Sequence, residues 1–192
     1  MLYFAIEGFY NTHNLRKYIL RLTLFGVLAT PAEIYLTEEP RGSFLTTLAL
    51  CLITCLVHEK IKNTYIKLLL YLGLLVLAHI GFEGGFKYII FTLLIIYYTK
   101  EKQDDFHAYI GIGLIALLCG LTELFIVSDV VLQIFIYLQL LESFSYFCSY
   151  FVIKLINRKP YERSKYKISR YIFYVFYPLH FIIIACVKYV CI

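Results

Sequence analysis

The chain has 192 residues, of which 61% are hydrophobic and only 16% charged, and a formal net charge of +5. Soluble domains are about 25% charged and break their apolar runs before ~18 residues, so a soluble globular fold is excluded. The cations are scattered between apolar runs, which excludes the contiguous basic face that nucleic acid requires. In chain order, an apolar stub at 1–9 precedes runs at about 18–36, 43–58, 64–82, 85–99, 106–127, 130–156 and 170–191. Only helices or closed barrels satisfy the backbone in lipid. Barrel strands alternate polar and apolar residues, and "KLLLYLGLLVLA" and "KYIIFTLLIIYY" do not. The expected fold is therefore all-α: a polytopic membrane bundle of about seven transmembrane helices plus an N-terminal partial helix. It is expected to form one transmembrane domain over 1–192. No soluble head or tail and no cleavable signal is expected.

The basic residues orient the bundle. Fifteen of the eighteen Lys and Arg fall in or beside the connections at 10–17, 59–63, 100–105 and 157–169; only Arg41, Lys87 and Lys188 fall on the alternate side. Cytoplasmic loops carry the Lys/Arg excess. Those four connections are expected in the cytosol, with Ile192 outside and the protein multi-pass in the inner (cytoplasmic) membrane. The polar loop "NRKPYERSKYK" at 157–167 reads as a solvated loop of this kind, or as a grip on anionic membrane lipid or a phosphorylated cofactor.

Cys51, Cys55 and His58 can share a helix face, but no fourth ligand is near. All six cysteines sit in or at the edge of apolar runs as small hydrophobes, and no metal site is expected. Ionisable groups inside a membrane face a bundle interior or a wet cavity. By depth, Glu7 and Arg21 lie towards the cytosol, and Glu33, His79, Glu83 and Glu123 towards the far side. Glu142, twelve residues into its run, lies near the midplane. Arg170 to His180 is ten residues, or ~15 Å of helix, which puts His180 at a similar depth.

Two constellations stand out. In "YIFYVFYPLHF", Pro178 lacks an N–H and frees the carbonyl of Tyr174, two residues before His180. An imidazole beside such an opening is a candidate general base; the alternative is a buried His that pairs two helices. In "EGFYNTHNLRKYILRL", Asn14, Lys17, Tyr18 and Arg21 share one helix face next to Arg16. That face suits the phosphates of a cytosolic cofactor; the alternative is a positive-inside hairpin in which Arg21 pairs with Glu7. "LATPAEIYL" reads as a kinked helix end carrying Glu33, and Glu142 has Gln139, Ser143 and Ser145 as polar neighbours; both carboxylates read by default as helix-pairing groups.

Together the two constellations resemble the TraX family of conjugal-transfer membrane proteins. The family carries F-x-x-E-G-F, then T-x-N/D and a basic run ending in Y-x-x-R-L, matched by "FAIEGFYNTHNLRKYILRL" at 4–22. It ends in K-x-x-F-Y-x-F-Y-P-L-H, matched by "RYIFYVFYPLH" at 170–180. The family includes the protein that N-acetylates the F-pilin subunit and is similar to integral-membrane acyltransferases. The resemblance implies acetyl-CoA as a cytosolic donor, and as acceptor a pilin, an envelope polymer or another membrane-held amine or hydroxyl. It points at Glu7, Gly8, Thr12, Asn14, Tyr18 and Arg21, and at Phe173, Tyr174, Tyr177, Pro178 and His180. The candidate catalytic groups are His180, Glu7 and Glu142; the candidate donor-binding groups are Arg21, Lys17, Arg16, Tyr18 and Asn14.

Two departures temper the activity. Family members usually begin with further spans carrying D-H and G-R-x-x-F-P, and Met1 stands where those end. In place of a family D-Y-G stretch the chain has "GFEGG", so Glu83 would stand for the Asp. The alternative expectation is a non-enzymatic multi-pass assembly subunit or a truncated, inactive paralogue.

Overall fold

The computed structural model describes residues 2–38, 40–82, 84–101 and 105–124, with shorter pieces at 141, 143–146, 148, 150–151, 154, 178–179, 182–186 and 188–189. Its elements are helical: α1 (Leu2–Asn11), α2 (Leu15–Thr37), α3 (Phe44–Lys60), α4 (Thr64–Gly81), α5 (Lys87–Ile95), a π-helical turn (Ile96–Glu101) and α6 (Asp105–Leu124). Among the described residues there is no strand, only a lone bridge between Gly42 and Phe82. The all-helical class expected from the apolar runs is therefore observed among the described residues, and the stub and the first five runs each carry a helix.

Two helical stretches, Leu15–Leu36 and Thr64–Gly81, are long and apolar enough to cross a membrane; Lys87–Thr99 and Phe106–Cys119 are shorter apolar helices. α4 is the clearest of them. Only Ala78 is buried along it, while Leu69, Leu72, Val76 and Ile80 are exposed. An apolar helix left bare over most of its surface is unlike the core helix of a soluble protein, which hides its apolar face. Lipid is the solvent that such a surface suits.

The described residues group into two compact units, Met1–Thr92 with Glu162–Ile192, and Leu93–Tyr161. In the first, α3 is the central helix, packed against α1, α2 and α4. Its Leu45, Leu48, Cys51, Leu52 and Cys55 are fully or almost fully buried. Helix ends are capped by short polar side chains placed where the chain must turn. Asn14 Oδ1 accepts from Lys17 N (3.1 Å), Ser43 Oγ from Thr46 N (3.4 Å), and Asn63 Oδ1 from Tyr65 N (3.0 Å). Glu38 turns left-handed (φ 60°) to stop α2, its N–H reaching Ile34 O. Inside the helices, Thr23, Thr30, Thr54 and Thr92 return their hydroxyls to the carbonyl four residues back, which satisfies them without water.

The α2–α3 seam is tight and polar. Ser43 Oγ donates to Gly26 O (2.9 Å) and Thr30 Oγ1 accepts from Ser43 N (3.3 Å). Small residues permit such approach, and each interhelical bond of this kind adds roughly 0.6 kcal/mol. Pro31 lies inside α2, which runs to Thr37, one residue beyond the end of the apolar run, with Glu33 buried on the last turns. Proline removes one N–H and bends a helix, but the turns beyond it keep their own bonds.

In the second unit, the π-helical turn after α5 and the start of α6 carry a cluster of rings. Tyr98 stacks on His107 (6.2 Å between centroids), and Phe106 meets the Tyr150 ring edge-on (5.4 Å).

Candidate functional site

The first motif folds as a helical hairpin. α1 ends at Asn11, a short turn follows, and Asn14 opens α2. Tyr18 Oη donates to Ala5 O (3.3 Å), which pins α2 to α1. A Cβ on Gly8 would lie 2.9 Å from that same hydroxyl. The glycine of "EGF" thus leaves room for the Tyr18 ring against α1. Glu7 is half-buried, and its carbonyl accepts from Asn11 Nδ2 (2.9 Å). Arg16, Lys17 and Arg21 are exposed.

Of the face expected to hold a cofactor, the structure gives Asn14 and Tyr18 local work, as a cap and as a clasp. It leaves the three cations on the outside of the hairpin. His180, Glu142 and Glu83 lie outside the described residues, as do Tyr174 and Tyr177. Pro178 is described: it is buried, and Leu179 beside it is exposed.

The C-terminal piece is tied to α2. Lys188 Nζ lies 3.3 Å from Tyr35 O and 3.7 Å from a Glu38 carboxylate oxygen, and 5.2 Å from the Tyr35 ring centre. Gly42 N donates to Gly81 O (2.8 Å), so the start of α3 and the end of α4 also meet.

A polar group missed in the sequence lies at the other end of α3. His58 Nδ1 is 2.9 Å from Tyr71 Oη of α4. Tyr10, in the last turn of α1, is partly buried beside Cys55 and Glu59. Burial, chiefly, pushes the Tyr10 phenol above its usual range, and the charges of Cys55 and Glu59 and a hydrogen bond with Glu59 add to this. The signal was present in the sequence: His58 and Glu59 end one run and Tyr71 begins the next turns of another. It was hidden because the pairing joins residues thirteen apart across a bend. The Cys51–Cys55–His58 face is used differently, with Cys51 Sγ donating to Tyr88 O (3.7 Å) and His58 turned to Tyr71.

Comparison with known proteins places this hairpin and the terminal segment in one pattern. The family model described as TraX protein matches residues 1–188. The chain belongs to the TraX family. A TraX-family assignment over nearly the whole length covers both the α1–α2 hairpin and the buried Pro178. The chain is also similar to the probable fimbrial assembly protein FimC, serogroup H1, of Dichelobacter nodosus. The two are 27% identical, and the match covers 98% of this chain and 78% of that protein. No solved structure matches the chain.

Proposed function

We propose that this TraX-family chain is an integral-membrane acyltransferase of pilus or fimbrial assembly. It moves an acetyl group from acetyl-CoA to a pilin N-terminus or another membrane-held acceptor. The observation that carries the reading is the family match over residues 1–188, together with a relative whose name is that of a fimbrial assembly protein. The α1–α2 hairpin supports it, because it sets Arg16, Lys17 and Arg21 outward at one end of the helices, where anionic phosphates can be met. In this reading His180 takes the acceptor's proton, and Glu7 and Glu142 assist it. The acceptor nitrogen attacks the thioester carbonyl, the C–N bond forms, and CoA leaves as its thiol with that proton.

The test of the donor site is Arg21→Ala. A charge-assisted contact is worth about 1.5–3 kcal/mol, so CoA affinity should fall roughly tenfold to a hundredfold, and Arg21→Lys should restore it only in part. Equal CoA binding by wild type and a folded Arg21→Ala protein would remove Arg21 from the site.

A second reading is favoured by a specific observation. Asn14 and Tyr18 are engaged as a cap and an interhelical clasp, which is what a non-enzymatic assembly subunit needs of its polar residues. Failure of the purified protein to bind CoA would favour that reading.

The proposed seven-span arrangement puts Ile192 outside the inner membrane. It is supported by the uneven placement of Lys and Arg. The contact of Lys188 with Tyr35 and Glu38 agrees, since the end of α2 also lies outside in this scheme. An alkaline phosphatase fused after Ile192 should be active and a fluorescent protein there dark. The opposite pattern overturns the arrangement.

A further inference from the structure

The segment that begins at Pro178 is helical in its described residues, 178–179, 182–186 and 188–189. Most of its surface is bare. Leu179, Ile182, Ile183, Ile184, Cys186 and Tyr189 are exposed, whereas Pro178 is buried and Ala185 and Lys188 are half-buried. Proline at 178 also removes the N–H that would bond back to Tyr174, which loosens the tie to the chain before it. Such a segment takes its position from the few contacts it makes.

Lys188 makes the contact that reaches another helix. The last four carbonyls of a helix have no partner within it, and that end favours a cation. α2 ends at Thr37 with no basic residue in its last turn. The Glu38 N–H bonds to Ile34 O (2.8 Å), and Lys188 Nζ donates to the next carbonyl, Tyr35 O (3.3 Å). The same ammonium lies 5.2 Å from the centre of the Tyr35 ring, within cation–π range. Its ion pair with Glu38 (3.7 Å) adds little, because the Glu38 side chain is 85% exposed. A lysine at the end of an apolar helix ordinarily extends its charge to water. Lys188 instead caps α2 from outside that helix.

We propose that Lys188 is a positioning residue: it fixes the helix after Pro178, and with it His180, against the C-terminal end of α2. This rests on the acyltransferase reading. His180 stands two residues into the segment that Lys188 closes. α2 carries Arg16, Lys17 and Arg21 near its start and receives Lys188 at its end, so one helix joins the proposed donor cations to the proposed base. Release of Lys188 lets the His180 segment shift and leaves the donor cations where they are. A misplacement of about 1 Å, caused far from the chemistry, costs up to about a hundredfold in rate.

The test uses the full-length protein in detergent. It combines steady-state transfer of labelled acetyl from acetyl-CoA, calorimetric CoA binding and amide hydrogen exchange over 182–189. Lys188→Met keeps the apolar stem and removes the charge and the donor. Its kcat should fall about tenfold to a hundredfold, with KM for acetyl-CoA and CoA affinity unchanged and exchange over 182–189 faster. The unchanged CoA affinity shows that the variant is folded. Lys188→Arg keeps a cation and its donors and should recover most of the lost kcat. Glu38→Gln should change kcat by less than about twofold. Wild-type kcat in Lys188→Met overturns the inference, whatever the exchange rates, and leaves the acyltransferase reading standing. A loss of CoA affinity parallel to kcat, or no recovery in Lys188→Arg, overturns it equally. A wild-type protein that neither binds CoA nor transfers acetyl overturns both.

Discussion

His180→Gln is expected to leave the protein in the membrane at normal abundance and to abolish acetyl transfer, with a loss of ~10²–10⁴-fold for a positioned general base. Glutamine keeps the polarity and much of the size of histidine, so a helix-pairing role would survive the change. It has no lone pair basic enough to take a proton from an amine or hydroxyl near neutral pH, so a catalytic role would not survive. The expectation begins with Pro178. A proline at that position removes the N–H owed to Tyr174 and opens the helix two residues before the histidine. Pro178 itself is buried, while Leu179, Ile182, Ile183 and Ile184 are exposed. In a membrane, freed carbonyls are tolerated where protein or a wet cavity receives them. The measurement is transfer of labelled acetyl from acetyl-CoA to pilin-bearing membranes, with thermal stability of the variant checked in parallel. Full transfer by His180→Gln would make His180 a structural residue. A stable, inactive variant that still binds CoA would separate the proton step from donor binding.

The helical class could be read directly because lipid permits so few backbones. Once strand alternation was absent from "KLLLYLGLLVLA", helix was the remaining solution, and α4 occupies that stretch. Boundaries followed where a capping side chain marked them: Asn14, Ser43 and Asn63 each open a helix within three residues of the start expected from the apolar run. The run expected at 18–36 already passed Pro31, and α2 does run on past it, because a proline removes one N–H and leaves the turns that follow to keep their own bonds. The site was only half legible. Spacing of three and four grouped Asn14, Lys17, Tyr18 and Arg21 on one face, but periodicity does not say which of them are spent on the fold. The structure assigns Asn14 to a cap and Tyr18 to Ala5 O. The His58–Tyr71 pair was illegible for the opposite reason. Its partners lie in different helices, and no pattern within a single helix joins them.

Gly26→Leu is the change expected to harm the fold most. A Cβ on Gly26 would lie 2.6 Å from Thr46 Cγ2, 2.8 Å from Thr46 N and 2.9 Å from Ser43 Oγ. The methyl and the hydroxyl can rotate away, but a backbone nitrogen inside α3 cannot. The helices must therefore separate, and Ser43 Oγ then loses its 2.9 Å bond to Gly26 O. Overpacking of this kind costs about 1–3 kcal/mol, and an unsatisfied buried hydroxyl about as much again. Gly26→Ala should already lower Tm and Gly26→Leu should prevent accumulation of folded protein. Gly73 is the control, because a Cβ there meets nothing within 4 Å. Gly73→Leu adds no clash and removes a poor helix former, so its Tm should be unchanged or slightly higher, by up to about 1 kcal/mol of stability. Equal Tm for wild type and Gly26→Ala would mean that α2 and α3 do not cross at this glycine, and the polar seam through Ser43 and Thr30 would have to be redrawn. A drop at Gly26 with none at Gly73 places a close α2–α3 approach at the start of α3, at the opposite end of that helix from the His58–Tyr71 pair.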